Sequence, residues 1–123
     1  MTVRRLVPAF FALAALFFAA GCGGGDSAPL LVETDESLYV RGLQLKKQGS
    51  NPEALASFLR LIDKRGEQAS AESHFEAGFI FLTHSKDYIE AIHHFQKYLG
   101  LKPNSPQAPH VRELINTAKR EFA

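Results

Sequence analysis

AESHFEAGFIFLTHSKDYIEAIHHFQKYLGLKP, residues 71–103, is the stretch that decides the fold. It predicts two helices folded against each other. The first carries Gly78 and, three residues on, Phe81; the second carries Ala91, Phe95, Tyr98 and Leu99 at helical spacing. Between them, residues 83–87 form a turn, and Asp87 with Glu90 makes the Asp-x-x-Glu pattern of a capping box where the second helix begins. A small residue on each helix, Gly78 and Ala91, lets the axes come close, and the aromatics fill the space around the crossing.

The preceding stretch repeats the design. Asp35 is the expected N-cap of a helix running through Leu38, Gly42 and Leu45 to about Gln48. Gly49 and Ser50 turn the chain, Asn51 caps a second helix, and Pro52 takes its first position. Ala54, Leu55, Phe58, Leu61 and Ile62 follow, and the chain breaks near Gly66. Gly42 to Gly78 spans 36 residues, while Ala54 to Ala91 and Phe58 to Phe95 each span 37. In each half the Gly is followed three residues on by Leu45 or Phe81, and the Ala four residues on by Phe58 or Phe95. Beyond Pro103, residues 106–122 predict one more helix, beginning at Pro106 or Pro109. Its apolar stripe is Val111, Leu114, Ile115, Ala118 and Phe122.

This periodicity resembles the tetratricopeptide repeat, whose small residue, aromatic, Ala, aromatic and late Pro match Gly78, Phe81, Ala91, Phe95 and Pro103. The first repeat would be residues 35–68 and the second 71–105, with insertions in the second turn and around residues 64–68. The fold class implied is all-α: two helix hairpins and a C-terminal capping helix, a short α-solenoid. Two repeats are few for such an array, so the expectation is marginal stability unless a partner or self-association adds to it.

The N-terminal part has a different composition. Residues 1–21 carry Arg4 and Arg5, then an apolar run at 6–20, the pattern of a secretory signal. Ala19-Ala20-Gly21-Cys22 resembles a bacterial lipobox. The resemblance implies cleavage before Cys22 and covalent lipid on its sulfur, hence a membrane anchor at the cell envelope. With Gly23 in place of Asp after the Cys, it implies the periplasmic face of the outer membrane if the source is Gram-negative. Residues 22–34 then form a Gly-rich flexible tether, in which Leu30, Leu31 and Val32 are an apolar patch expected to dock on the domain at 35–123. Without Arg4 and Arg5, Lys+Arg falls from 14 to 12 against 13 Asp+Glu, a balance that argues against a nucleic-acid partner.

No pattern of catalytic chemistry emerges, and an enzyme is not expected. The glycines at 23–25 precede no strand, and the one Cys rules out an internal disulfide. His93 and His94 are adjacent on a helix and point apart, while His74, His84 and His110 fall at no ligand spacing. Neither a metal site nor any cofactor beyond the lipid is therefore expected.

The repeat family lines its concave face with the first helix of each unit. That implies a groove of Tyr39, Leu43 and Lys46 from the first repeat and Phe75, Phe79 and Leu82 from the second. The family's carboxylate clamp uses Lys, Asn and Arg there, so this largely apolar set would instead take an apolar side chain or an amphipathic helix of a protein partner. The resulting expectation is a lipid-anchored interaction module acting as scaffold or assembly factor in envelope biogenesis. The rivals are a spacer or accessory subunit with no groove ligand, and a His-based metal carrier. Lipidation is directly checkable: Cys22→Ser should remove the lipid mass from the mature chain and shift the protein from the detergent phase to the aqueous phase on partitioning. An unchanged mass would eliminate the anchor.

Overall fold

The computed structural model describes residues 31–123; the expected signal, Cys22 and the tether as far as residue 30 lie outside the described residues. The described chain is all-helical. Its helices are α1 (Ser37–Lys47), α2 (Asn51–Arg65), α3 (Ala71–Ile80), α4 (Tyr88–Leu101) and α5 (Ala108–Phe122). Each packs on the next in chain order. No described helix is long and apolar enough to cross a membrane.

The two helix pairs are built around the same contact. A Cβ placed on Gly42 would lie 2.6 Å from Phe58 Cζ, and one on Gly78 would lie 2.9 Å from the Phe95 ring and 3.3 Å from the Ala91 carbonyl oxygen. Each glycine is a gap in one helix that a fully buried phenylalanine of the next helix occupies. Ala54 and Ala91, both fully buried, keep the second helix of each pair close at the same crossing. Around Phe58 lie Tyr39, Leu61 and Ile80, with Leu45 partly buried beside them. Around Phe95 lie Tyr98, Val111, Ile115 and Ala118, the last three supplied by the apolar stripe of α5.

Several helix ends differ from the expectation. Asp35 does not cap α1: residues Glu33–Asp35 form a 3-10 turn, and Glu36 occupies the N-cap position. Ser50 precedes α2, which puts Asn51 and Pro52 inside its first turn instead of at the cap and first position. Pro106 stands before α5, with Pro109 in its first turn. At Asp87 half of the capping box is made: its Oδ1 accepts from the Glu90 N–H at 3.1 Å, while the Asp87 N–H bonds to the Phe81 carbonyl. The Lys86 N–H bonds to the same Phe81 carbonyl and closes a π turn, Phe81–Ser85, ended by Lys86 in the left-handed region at φ 57°. The extra residue in this turn is thus absorbed by widening the end of the helix.

The segment before α1 is part of the domain, which corrects the expected tether boundary at residue 34. Glu33 is buried, and its carboxylate accepts the N–H groups of Glu72 at 3.0 Å and Ser73 at 2.6 Å. It therefore caps α3 from a distance of about forty residues in sequence. The local candidate, Ser70, turns its hydroxyl back to the Gly66 carbonyl. Glu36 receives Lys64 at 2.9 Å and Arg65 at 3.1 Å, and Arg65 also donates to the carbonyls of Leu31 and Ala69. The hydrogen bond from Lys64 holds the Glu36 carboxyl below its ordinary range, with burial opposing and Arg65 assisting. Of the apolar patch, Leu30 lies outside the described residues, and Leu31 and Val32 do not dock by their side chains, being 59% and 64% exposed. Their backbone is fastened: the Leu31 carbonyl accepts from Arg65 and the Val32 carbonyl from the Asp35 N–H.

The close approach at Gly42 can be measured. Alanine raises intrinsic helix propensity by about 1 kcal/mol, yet its Cβ would overpack against a phenylalanine that has no room to retreat, at about 1–3 kcal/mol. Gly42→Ala should therefore lower unfolding free energy in denaturant titration, and Phe58→Leu in the same chain should recover part of the loss. A stabilised Gly42→Ala would mean the helices are not held by this contact.

Candidate functional site

The candidate groove residues divide between core and surface. Tyr39 is core: it is 7% exposed and meets Phe58 edge-on with ring centroids 5.5 Å apart. This corrects its assignment to the groove. Tyr39 lies three residues before Gly42, so it shares the face turned to α2, and Phe58 entering the glycine gap meets it. Burial and the nearby Glu76 push its phenol well above the usual range, so it stays neutral. Leu82 is buried too, at the floor of a recess between the π turn and α5 that Tyr88, Leu114 and Thr117 also line.

Leu43, Lys46, Phe75 and Phe79 remain half-buried, and the structure gathers three of these four. Phe75 and Phe79 stack along α3 with centroids 6.4 Å apart. Lys46 reaches across from α1, its Nζ 4.8 Å from the Phe79 ring centroid and 2.6 Å from Glu76. The lysine is thus held over an aromatic face by a carboxylate, a cation–π arrangement fixed by an ion pair. Phe75 extends the aromatic surface inward to Phe95 and Tyr98.

Of the other repeat positions, Phe81 is half-buried and stacks on His94, and Pro103 is exposed, its carbonyl oxygen accepting from Arg112.

Spacing missed a pair of histidines. His74 on α3 and His94 on α4 are both buried, and their Nδ1 atoms lie 2.9 Å apart. His74 Nε2 is 3.2 Å from the Glu67 carbonyl oxygen, in the connector between α2 and α3. Burial drives both imidazoles below the ordinary histidine range, His94 to about 4, where nearby His74 and His93 add to the effect. The one available signal was a His in the apolar, aromatic-rich part of each helix. His93, by contrast, points outward and lines a polar recess with Glu67, Gln68 and Lys97. Among the described residues no three His, Cys, Asp or Glu side chains gather as a metal site.

The fold and surface define a small all-helical domain with a half-open aromatic face. Comparisons with family models, with curated proteins and with solved structures gave no match.

The Lys46–Glu76 contact has a measurable consequence. The Glu76 side chain is only 10% exposed, so removing the lysine leaves a nearly buried carboxylate unpaired. Lys46→Met should destabilise by about 1–3 kcal/mol, and Glu76→Gln added to it should restore most of that. A double-mutant cycle in denaturant reads the coupling, and additive effects would mean that the pair contributes nothing.

Proposed function

We propose that this chain is a helical-repeat interaction module of the tetratricopeptide type. In this reading the lipid on Cys22 holds it at the cell envelope, and it serves envelope assembly by docking a partner protein. The docking face is the surface shared by α1 and α3, with Phe75 and Phe79 as the aromatic floor and Leu43 and Lys46 at its side. Its ligand is an apolar side chain or the apolar stripe of an amphipathic helix from the partner. The observation that carries this reading is the stacked, half-buried Phe75–Phe79 pair with Lys46 fixed above it. Rigid aromatics and a positioned cation bind with little ordering cost, which is why such groups recur as anchors in interfaces. The twofold use of a glycine gap filled by a phenylalanine, at Gly42–Phe58 and Gly78–Phe95, further supports a repeated unit. The lipid anchor rests on residues 19–22 alone.

A photocrosslinker at position 79 of the full chain in cells tests the docking face, with Lys119 as an exposed control. The expected result is a discrete band with a second protein from 79 and none from 119. Phe79→Glu, checked by circular dichroism to retain its helices, should abolish that partner's recovery. Crosslinks from 79 that stay within the chain, or a folded Phe79→Glu that keeps its partner, would reject this face.

A further inference from the structure

We infer that the buried His74–His94 pair is an acid-operated latch, which fastens the 66–70 connector, α3 and α4 at neutral pH and releases them when the pair takes up a second proton. The Glu67 carbonyl can only accept, so His74 Nε2, 3.2 Å away, carries a hydrogen. Neutral His74 then has a bare Nδ1, and the contact at 2.9 Å requires His94 Nδ1 to donate to it. Both contacts are satisfied in the neutral pair.

One extra proton can be placed without breaking this arrangement. A cationic His94 still donates from Nδ1. A cationic His74 donates from both nitrogens if His94 changes tautomer and accepts. Two extra protons have no arrangement: both Nδ1 atoms would carry hydrogen and face each other at 2.9 Å. The rings must then part. The surrounding charges do not relieve this. Facing the pair are Glu67 from the connector and His93 and Lys97 from α4. Glu67 is itself engaged by Lys97 at 2.6 Å, and the neighbouring His93 further disfavours a charge on His94. Phe81, stacked on His94 with centroids 5.5 Å apart, offers an aromatic face and no acceptor.

The direction follows from linkage. The folded chain binds these protons more weakly than the unfolded chain, in which histidine titrates near 6.5. The stabilisation is thus complete above about 6.5 and is lost as pH falls towards about 4. Because the two sites are coupled, opening follows a macroscopic two-proton step instead of two independent titrations. This inference does not depend on the docking face.

Hydrogen exchange on the full chain in detergent, read by mass spectrometry from pH 7 to 4 and corrected for intrinsic rates, tests it. Peptides covering 66–98 should lose protection by about tenfold or more between pH 6.5 and 4.5, while those covering 37–62 keep theirs. His94→Asn cannot titrate, and its amide can donate to neutral His74 or turn its oxygen to accept from cationic His74; it should therefore keep 66–98 protected across that pH range. Should that variant be unfolded at pH 7, histidine-detected NMR of the native chain decides the matter: coupled titration well below 6.5 supports the latch, and independent titration of either ring near 6.5 overturns it. Equal protection at pH 7 and 4, or an unchanged profile in folded His94→Asn, also overturns it. Stabilisation by added zinc that chelator reverses and His94→Asn removes would make the pair a ligand set and reject the latch.

Discussion

Two glycines opposite two phenylalanines set the distances on which the rest of this structure depends. Phe58 and Phe95 are fully buried because Gly42 and Gly78 leave their helices without a side chain at the crossing. A helix pair at this separation has its contact surface dominated by rings, and the neighbouring positions must conform. Tyr39 turns inward onto Phe58, and Phe75 meets Phe95 and Tyr98. The half-open aromatic face on α3 is thus an outgrowth of the core. Phe75 touches both, so the surface inherits the rigidity of the packing beneath it.

Polar contacts then join what the apolar contacts only bring near. Glu33 stops the N-terminus of α3, and Glu36 gathers Lys64 and Arg65 from the end of α2. Lys46 ties α1 to α3 through Glu76, and Lys102 ties α4 to Glu72. The carboxylates of Glu33, Glu36 and Glu76 are nearly withdrawn from water, and each has its partners in place. Such pairs add modestly to net stability, but they strongly disfavour any register that leaves a buried charge alone. For so short a chain of helices, whose neighbours are held largely by sequential packing, that discrimination fixes how the segment before α1 lies against α2 and α3.

The histidine pair belongs to the same logic with a different outcome. His74 and His94 occupy positions that an apolar side chain could fill, and their mutual hydrogen bond satisfies two buried Nδ1 atoms that would otherwise be unpartnered. A carboxylate–lysine pair keeps its charges over a broad pH range. Two imidazoles sharing one hydrogen have no arrangement for two extra protons, which burial lets them take up only below the ordinary histidine range.

Sequence by itself determined the all-helical class and the crossing points, because glycine, alanine and phenylalanine at helical spacing mark where two helices touch. It also located the breaks near Gly49, Gly66 and residues 83–87, where left-handed backbone or a widened turn is needed. Its helix starts were displaced by one residue at Asp35 and Asn51, where neither helix takes a side-chain cap, and α3 is capped from far away by Glu33. The half-buried aromatic cluster was legible in Lys46, Phe75 and Phe79, while Tyr39 belonged to the core. The Glu33 cap, the Arg65 clamp and the His74–His94 bond were decided only in the tertiary structure. Each joins groups twenty to forty residues apart, and hydrogen bonds between such distant groups have no periodicity for a sequence to display.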